Sequence, residues 1–161
     1  MADKKISALD AVTTPTMASE FAVNEGGTSK KMTLAQVLGS DTHTFTVTTT
    51  DGVQTEMLVA AARISVATDS TYMFRVDLVA RRTDADNESG GYVIEGAIDN
   101  NAGTTAMVGP VFVTSLAEDN SAWDVTVVAD DTNDAVVPKV TGEAGKTISW
   151  VGRMQLVKVT G

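Results

Sequence analysis

Strict alternation of apolar and polar side chains between residues 71 and 82 constrains the fold of this chain more than any other feature. Apolar side chains occupy every second position, at Tyr72, Phe74, Val76, Leu78 and Ala80. Charged side chains lie between them, at Arg75, Asp77 and Arg81. A period of two places successive side chains on opposite faces of an extended backbone. The segment therefore predicts a β-strand with one buried and one solvated face.

Further segments with β-type composition follow residue 40, separated by turn-forming clusters of Asp, Asn and Gly. They span residues 45–47, 58–66, 92–98, 107–114, 123–128, 136–140 and 147–159. About eight strands at this spacing, without helical patterns between them, predict an all-β fold, an antiparallel β-sandwich or jelly roll. Pro110 and Pro138 lack an N–H, so each predicts an edge strand or a kink, and Gly152 predicts a β-bulge.

The first 40 residues predict a separate small module. Residues 20–25 and 28–33 flank Gly26-Gly27, which predicts a β-hairpin because both glycines tolerate a positive φ. Thr33 precedes an apolar turn at residues 34–38 and then Gly39, which predicts a short helix. Four basic and four acidic residues leave this segment neutral, whereas residues 41–161 carry the whole net charge of −9. We therefore predict two domains, residues 1–40 and residues 41–161.

The N-terminal module has too few large side chains to form a core of its own. We therefore expect it to fold against a partner or a neighbouring subunit. Its apolar contact residues would be Ile6, Leu9, Phe21, Met32 and Leu34. The alternative is a frayed arm that lies over its own β domain.

Composition excludes several classes of function. The chain has no cysteine, which removes disulfides, thiolate metal sites and cysteine nucleophiles, and His43 is its only histidine. A net charge of −9 argues against binding to nucleic acid or to an anionic membrane. Apolar runs are too short for insertion into a membrane. The N-terminal residues lack the apolar segment of a secretory signal, so we expect a protein made and kept in a cytoplasm.

One acidic loop has part of the spacing of a calcium site. Asp84, Asp86, Glu88 and Glu95 occupy the first, third, fifth and twelfth positions of such a loop. Ser89 stands where the sharp turn needs glycine, and strands flank the loop, so the pattern favours a solvated acidic loop. Bound calcium remains the alternative. The acidic loop of Asp130, Asp131 and Asp134 likewise favours a solvated loop, with bound calcium as the alternative.

The remaining motifs favour structural roles. Residues 142–147 resemble a phosphate loop, but Val140 replaces the first required glycine and a strand follows, so we predict a tight hairpin turn. His43 lies near Asp41 without a nucleophile motif, so we predict no catalytic residues and no cofactor. Trp123 and Trp150 lie in alternating strands, which favours core packing over a sugar-stacking platform.

Two stretches resemble segments of bacteriophage proteins. Residues 4–9, 20–23 and 26–34 resemble the opening of many tailed-phage fibre, spike and other virion proteins, in which the segment implies attachment to the particle. The second series comprises residues 48–52, 79–84, 91–92, 118–119, 122–126 and 140–150. In this order it is similar to a β domain at the C-terminal end of phage tail fibres.

The resemblance implies a virion component, commonly a homotrimer, that is not an enzyme. Its motif residues, to which it implies structural roles, are Arg81, Arg82, Asp84, Trp123, Asp124, Lys146 and Trp150. No shaft separates the two stretches, so we predict a short fibre, a tail component or a head-decoration protein, assembled in the host cytoplasm. Residues 1–40 would bind capsid or tail proteins. The alternative is a module that binds host-surface glycans through Trp, Tyr and acidic loops.

Overall fold

The computed structural model describes four segments of the chain, residues 20–25, 28–33, 41–85 and 87–161. The chain divides into two units, Met1–Ser40 and Asp41–Gly161. In the first unit, strands β1 (Glu20–Glu25) and β2 (Thr28–Thr33) pair antiparallel, with Glu25 opposite Thr28. This pairing confirms the predicted hairpin. The helix predicted over residues 34–38 lies outside the described residues.

In the second unit the described residues form ten strands. In chain order they are β3 (Asp41–Thr49), β4 (Gln54–Glu56), β5 (Ile64–Ser65), β6 (Ser70–Arg82), β7 (Ser89–Asn101), β8 (Thr104–Met107), β9 (Phe112–Glu118), β10 (Asp124–Asp130), β11 (Ala135–Thr141) and β12 (Ile148–Thr160). The larger sheet has the order β3-β12-β6-β7, with β8 and β9 both paired to the far side of β7. The smaller sheet has the order β10-β11-β4, with β5 also paired to β11.

The two sheets share a hydrophobic core. In β6 the even-numbered side chains from Tyr72 to Ala80 are buried, as the alternation predicts, and β12 buries its even-numbered side chains from Ile148 to Leu156. Side chains of the smaller sheet, among them Val127 and Val136, belong to the same buried cluster. The described part of the chain is therefore all-β, with two antiparallel sheets, an arrangement consistent with a β-sandwich.

Two predicted strands are broken in the structure. Residues 58–66 do not form one strand, because Ala60 and Ala61 have φ values of 49° and 66° and a tight turn joins Val59 to Ala62. Only Ile64–Ser65 pairs there. Residues 107–114 are interrupted between β8 and β9, where Pro110 follows Gly109 with a φ of 79°. This interruption confirms the kink predicted at Pro110.

Pro138 does not lie in an edge strand. β11 pairs with β10 on one side and with β4 and β5 on the other. In an antiparallel strand a residue's N–H and C=O point to the same side. The Pro138 carbonyl accepts a 2.9 Å bond from the Met57 N–H, so its missing N–H faces the gap between β4 and β5. The gap explains how a central strand accommodates proline, and the edge prediction is wrong.

The bulge predicted at Gly152 is also absent. Gly152 keeps a continuous register with Phe45 of β3 and Leu78 of β6. A Cβ at this position would lie 2.6 Å from the Phe45 ring, so glycine is needed for the close approach of that ring rather than for a bulge. The register irregularity of this sheet lies between β7 and β9, where Gly91 and Tyr92 pair with Ala117 and Ser115.

The segment of residues 142–147 is not the predicted hairpin turn. It joins β11 to β12, and these strands lie in different sheets and pair with different partners. β11 pairs with β10, β4 and β5, whereas β12 pairs with β3 and β6, so the short loop is a crossover between the sheets. Gly145, with a φ of 77°, supplies the sharp change of direction.

Candidate interaction surface

Three loops meet at the end of the larger sheet where β6 ends and β12 begins, and a network of charged groups joins them. Arg82 Nε lies 2.9 Å from Asp84 Oδ1, and Arg82 Nη1 lies 3.2 Å from Glu88 Oε2. Lys146 Nζ lies 2.7 Å from Glu88 Oε1 and 2.6 Å from Glu143 Oε2. We call these five residues, together with Asn120, the loop network.

Asn120 completes the loop network from the β9–β10 loop. Its side-chain amide donates to Glu88 Oε1 at 3.1 Å and to Glu143 Oε2 at 2.5 Å. Asp84 Oδ1 accepts the backbone N–H of Thr147 at 3.1 Å, which fixes the start of β12. The charged groups are therefore bonded to one another, and the network has a structural role in which it holds the three loops together.

The ion pairs shift the pKa values of the loop network. The hydrogen bond from Arg82 lowers the pKa of Asp84 from 3.8 to about 2. Hydrogen bonds from Lys146 lower the pKa of Glu88 and of Glu143, and Glu143 is the largest cause of the raised pKa of Lys146. Each acid is therefore stabilised in its ionised form, so the network contributes to folding at neutral pH and weakens in acid.

Three of the four candidate calcium ligands are bonded to cationic side chains. Asp84 and Glu88 belong to the loop network, whereas Glu95 Oε1 lies 2.7 Å from Arg75 Nη1 on the outward-facing side of β7. Asp86 lies outside the described residues. Among the described residues, no group of three or more His, Asp and Glu side chains is arranged to hold a metal ion.

The second acidic loop joins the two sheets. Asp131 Oδ1 accepts the backbone N–H of Thr105 at 2.6 Å, and Asp134 Oδ1 accepts the Thr105 hydroxyl at 2.8 Å. Thr105 is buried in β8 of the larger sheet, whereas both acids follow β10 of the smaller sheet. Asp130 lies 3.1 Å from Arg63 Nε, and a hydrogen bond from Asn133 is the largest cause of its lowered pKa.

Both tryptophans lie in the core, as the alternation predicts. Trp150 Nε1 donates to Thr49 Oγ1 at 2.9 Å, and the Trp123 ring lies 5.6 Å from the Trp150 ring. Tyr92 packs 6.4 Å from Trp150 and donates from its hydroxyl to Glu118 Oε1 at 2.6 Å. Burial and this bond raise the pKa of Tyr92. Neither indole is accessible to stack on a sugar ring.

The other sequence candidates lie apart from these clusters. His43 Nε2 lies 2.8 Å from Asp41 Oδ1, and Asp41 also contacts Lys158, whose Nζ lies 4.6 Å from the centre of the Tyr72 ring. These contacts tie β3 to β12. Arg81 Nη1 donates to Ser89 Oγ at 3.4 Å, and Asp124 Oδ1 accepts from the N–H of Val125.

The outward-facing side of the larger sheet carries apolar side chains where solvated ones are expected. Val79 of β6 lies opposite Val151 of β12 and opposite Gly91 of β7. Val79 is 59% exposed, and nearby Leu116 of β9 is 68% exposed. These residues line an open groove of about 400 Å³, and a Cβ at Gly91 would meet no atom within 4 Å. We call the line Val151–Val79–Gly91 the first apolar row.

A second apolar row crosses the same face farther along β6. Met73 lies opposite Val157 of β12 and opposite Ala97 of β7. Met73 is 58% exposed and Val157 is 64% exposed. Phe112 of β9 joins Met73 and Ala97 in lining a groove of about 430 Å³. We call the line Val157–Met73–Ala97 the second apolar row.

A charged belt lies between the two apolar rows. Arg75 contacts Glu95 at 2.7 Å and Asp77 at 3.0 Å, and Arg153 lies 3.6 Å from the second oxygen of Asp77. These four residues are partly exposed. Apolar rows that flank a belt of paired charges have the composition of a protein–protein interface rather than of a small-molecule pocket.

Sequence reasoning missed this surface because it assigned the odd-numbered positions of β6 to solvent on the evidence of three charged residues. Met73 and Val79 occupy the same odd-numbered face, and Val151, Val157 and Val159 do so in β12. The available signal was the presence of apolar residues at odd-numbered positions, which the alternation assigns to the solvated face. The charged residues between them obscured it.

Two of the predicted attachment residues lie within the described hairpin. Phe21 of β1 and Met32 of β2 are register partners. Ile6, Leu9 and Leu34 lie outside the described residues. No helix in the described part of the chain is long and apolar enough to cross a membrane. The sequence matches no protein-family model and no curated protein.

Proposed function

We propose that this chain is a structural, non-enzymatic component of a bacteriophage virion. Residues 1–40 attach it to capsid or tail proteins, and residues 41–161 extend outward as a β-sandwich. The protein is a short fibre, a tail component or a head-decoration protein, assembled in the host cytoplasm. Its further partners are two other copies of the chain, in the homotrimer that the resemblance implies. We also propose that the sandwich is a jelly roll and that residues 34–38 form a short helix.

The observation that carries the proposal is the role of the residues on which the resemblance rests. Arg82, Asp84 and Lys146 join three loops, and Trp123 and Trp150 pack in the core. The shared residues hold loops together or pack in the core, and none of them forms a reactive site. Residues of this kind are expected to be shared by proteins that have the same fold but catalyse no common reaction. The series therefore supports a shared β domain, and with it the virion role.

The apolar outward-facing side of the larger sheet supports a role in assembly. Exposed apolar patches of this kind mark interaction surfaces on soluble proteins. A glycan-binding function, by contrast, would depend on polar loop residues alone, because both tryptophans are buried. A glycan array with the loop variant Asp131→Ala tests that alternative: specific binding that the variant loses would favour it over the structural role.

Deletion of residues 2–40 tests the attachment role. The truncated chain is expected to keep the β-type circular dichroism of the larger unit and to be missing from gradient-purified particles. Within the full chain, Phe21→Asp with Met32→Asp is expected to reduce incorporation, because the substitutions place charges at two of the proposed attachment residues. Val53→Asp, at an exposed loop position of the larger unit, is the control and is expected to incorporate normally. Normal incorporation of the truncated chain contradicts the proposal.

A further inference from the structure

We infer that the outward-facing side of the larger sheet binds the same face of a second copy of this chain, about a twofold axis that crosses β6 at Val76. The inference rests on the proposed function, because neighbouring copies in a particle would supply the partner. Three observations carry it: the charge balance of the face, the symmetric spacing of its apolar rows and the order of charges in its belt.

The face is neutral on an acidic protein. Its outward positions on β6, β7 and β12 carry three arginines and three acids, namely Arg75, Arg81, Arg153, Asp77, Glu95 and Asp99. The rest of residues 41–161 therefore holds the net charge of −9. Because the face itself carries no net charge, its contact with the same face of a second copy adds no local repulsion to that between two acidic chains.

The apolar rows are spaced symmetrically. Val76 of β6 is the register partner of Met154 in β12 and of Ile94 in β7. Met73 and Val79 lie three residues on either side of Val76, which is about 10 Å along the strand. A twofold axis across β6 at Val76 therefore superposes the first apolar row of one copy on the second apolar row of the other.

The same relation holds in the neighbouring strands. Val151 and Val157 lie three residues on either side of Met154, and Gly91 and Ala97 lie three residues on either side of Ile94. The open space above Gly91 would then receive the Ala97 side of the second copy. Apolar groups meet apolar groups across the whole width of three strands, as the core of an isologous interface requires.

The two central charges of the belt are complementary under the same axis. Arg75 and Asp77 lie one residue on either side of Val76, so the axis places Arg75 of one copy against Asp77 of the other, and the reverse contact follows by symmetry. The axis places the two outer belt residues, Arg153 and Glu95, against the uncharged Gln155 and Val93 of the other copy, so they keep their pairs within their own chain. Apolar rows that meet each other, together with a central arginine that meets a central acid, favour a second copy of this chain as the occupant.

Self-association of the full chain tests the inference. Light scattering after size exclusion is expected to give an even multiple of the monomer mass of 16.8 kDa, two copies for the twofold contact alone and six where the proposed trimer also forms. Val79→Asp and Met73→Asp are each expected to weaken association by about tenfold or more, because each buries an unpaired carboxylate. Val53→Asp is the matched control, since Val53 is 65% exposed and lies off this face. Urea midpoints of all variants check that they fold.

A charge-swap mixture tests the twofold axis itself. Arg75→Asp makes the centre of the belt acidic and Asp77→Arg makes it basic, so each variant alone is expected to be monomeric. An equimolar mixture is expected to form a heterodimer, because each acidic centre then faces a basic one. A mixture that stays monomeric overturns the inference, as does a wild-type chain that is monomeric at 100 µM (a concentration on the order expected for weak specific interfaces).

Other outcomes separate this inference from the proposed function. A trimer whose mass Val79→Asp leaves unchanged overturns the twofold contact while leaving the virion role intact. A wild-type monomer that is incorporated normally into particles has the same meaning. Dimers that respond to both substitutions, made by a chain absent from particles, would support the contact and contradict the virion role.

Discussion

The ring of Phe45 in β3 lies over the backbone of Gly152 in β12. The two residues are register partners, and a Cβ at Gly152 would lie 2.6 Å from Phe45 Cε2. Phe74 and Gly96 repeat the arrangement between β6 and β7, where the corresponding distance is 2.7 Å. Glycine inside a strand ordinarily weakens it, but here the glycine makes room for a buried aromatic ring in a neighbouring strand. The core of the larger sheet depends on this fit.

Gly152→Ala is therefore expected to lower the free energy of unfolding by about 1–3 kcal/mol, because the added methyl group displaces the Phe45 ring from a packed core. Urea denaturation measures the change. Gly91→Ala is the matched control, since a Cβ there meets no atom within 4 Å, and it is expected to be neutral or to stabilise by up to about 1 kcal/mol. Equal destabilisation by both substitutions would contradict the packing argument.

The two core tryptophans are expected to respond differently to phenylalanine. Trp150 Nε1 donates to the buried hydroxyl of Thr49, whereas Trp123 Nε1 has no hydrogen-bond partner among the described residues. Both substitutions remove the same atoms, but only Trp150→Phe leaves a buried hydroxyl without its donor. We expect Trp150→Phe to cost about 1–3 kcal/mol more than Trp123→Phe in the free energy of unfolding. Calorimetry of the two variants would refute this if their melting temperatures fall equally.

The local parts of this fold could be predicted from the sequence. The alternation from Tyr72 to Ala80 identifies β6 and its buried face, and the Gly26-Gly27 turn identifies the β1–β2 hairpin. Both signals arise from residues that are close in the chain. The calcium-like spacing of Asp84 and Glu88 does not by itself predict a metal site, and in the structure Asp84 is bonded to Arg82 and Glu88 to Lys146.

The non-local parts could not be predicted. Residues 142–147 have the composition of a hairpin turn, but β11 pairs with β10, β4 and β5 whereas β12 pairs with β3 and β6, so the segment is a crossover between the sheets. Pro138 occupies a central strand because β4 and β5 leave a gap beside it, and no local signal encodes that gap. The apolar rows also depend on the register between β6, β7 and β12. The local sequence therefore indicates which segments form strands, but not which strands pair with each other.

Acid is expected to destabilise the larger unit through the loop network. The pKa of Asp84 falls from 3.8 to about 2 because Arg82 stabilises the carboxylate, so its contribution is present above pH 3.8 and is lost as the pH falls towards 2. Lys146 lowers the pKa of Glu88 and Glu143 in the same direction. The urea midpoint is therefore expected to fall as the pH is lowered from about 5 to about 2, the range in which these carboxylates become protonated.

Asp84→Asn isolates that contribution. The variant is expected to be less stable than the wild type at pH 5 and to lose less stability between pH 4 and pH 2, because it has no carboxylate to protonate. Asp51→Asn, whose side chain accepts the local backbone N–H of Val53, is the control and is expected to follow the wild-type curve. Parallel pH curves for wild type and Asp84→Asn would show that the Arg82–Asp84 pair does not contribute.

The bond between Thr105 and Asp134 is expected to hold the two sheets together at the end opposite the loop network. Thr105→Val keeps the side-chain volume but removes the hydroxyl that Asp134 Oδ1 accepts at 2.8 Å, so we expect a loss of about 1–3 kcal/mol in the free energy of unfolding. Thr104→Val, at the exposed neighbouring position, is expected to stay within about 0.5 kcal/mol of the wild type. Asp134→Asn retains an acceptor oxygen and tolerates the φ of 47° at this position, so it should cost less than Thr105→Val. If Thr104→Val and Thr105→Val are equally destabilising in urea, loss of the bond between Thr105 and Asp134 does not explain the effect.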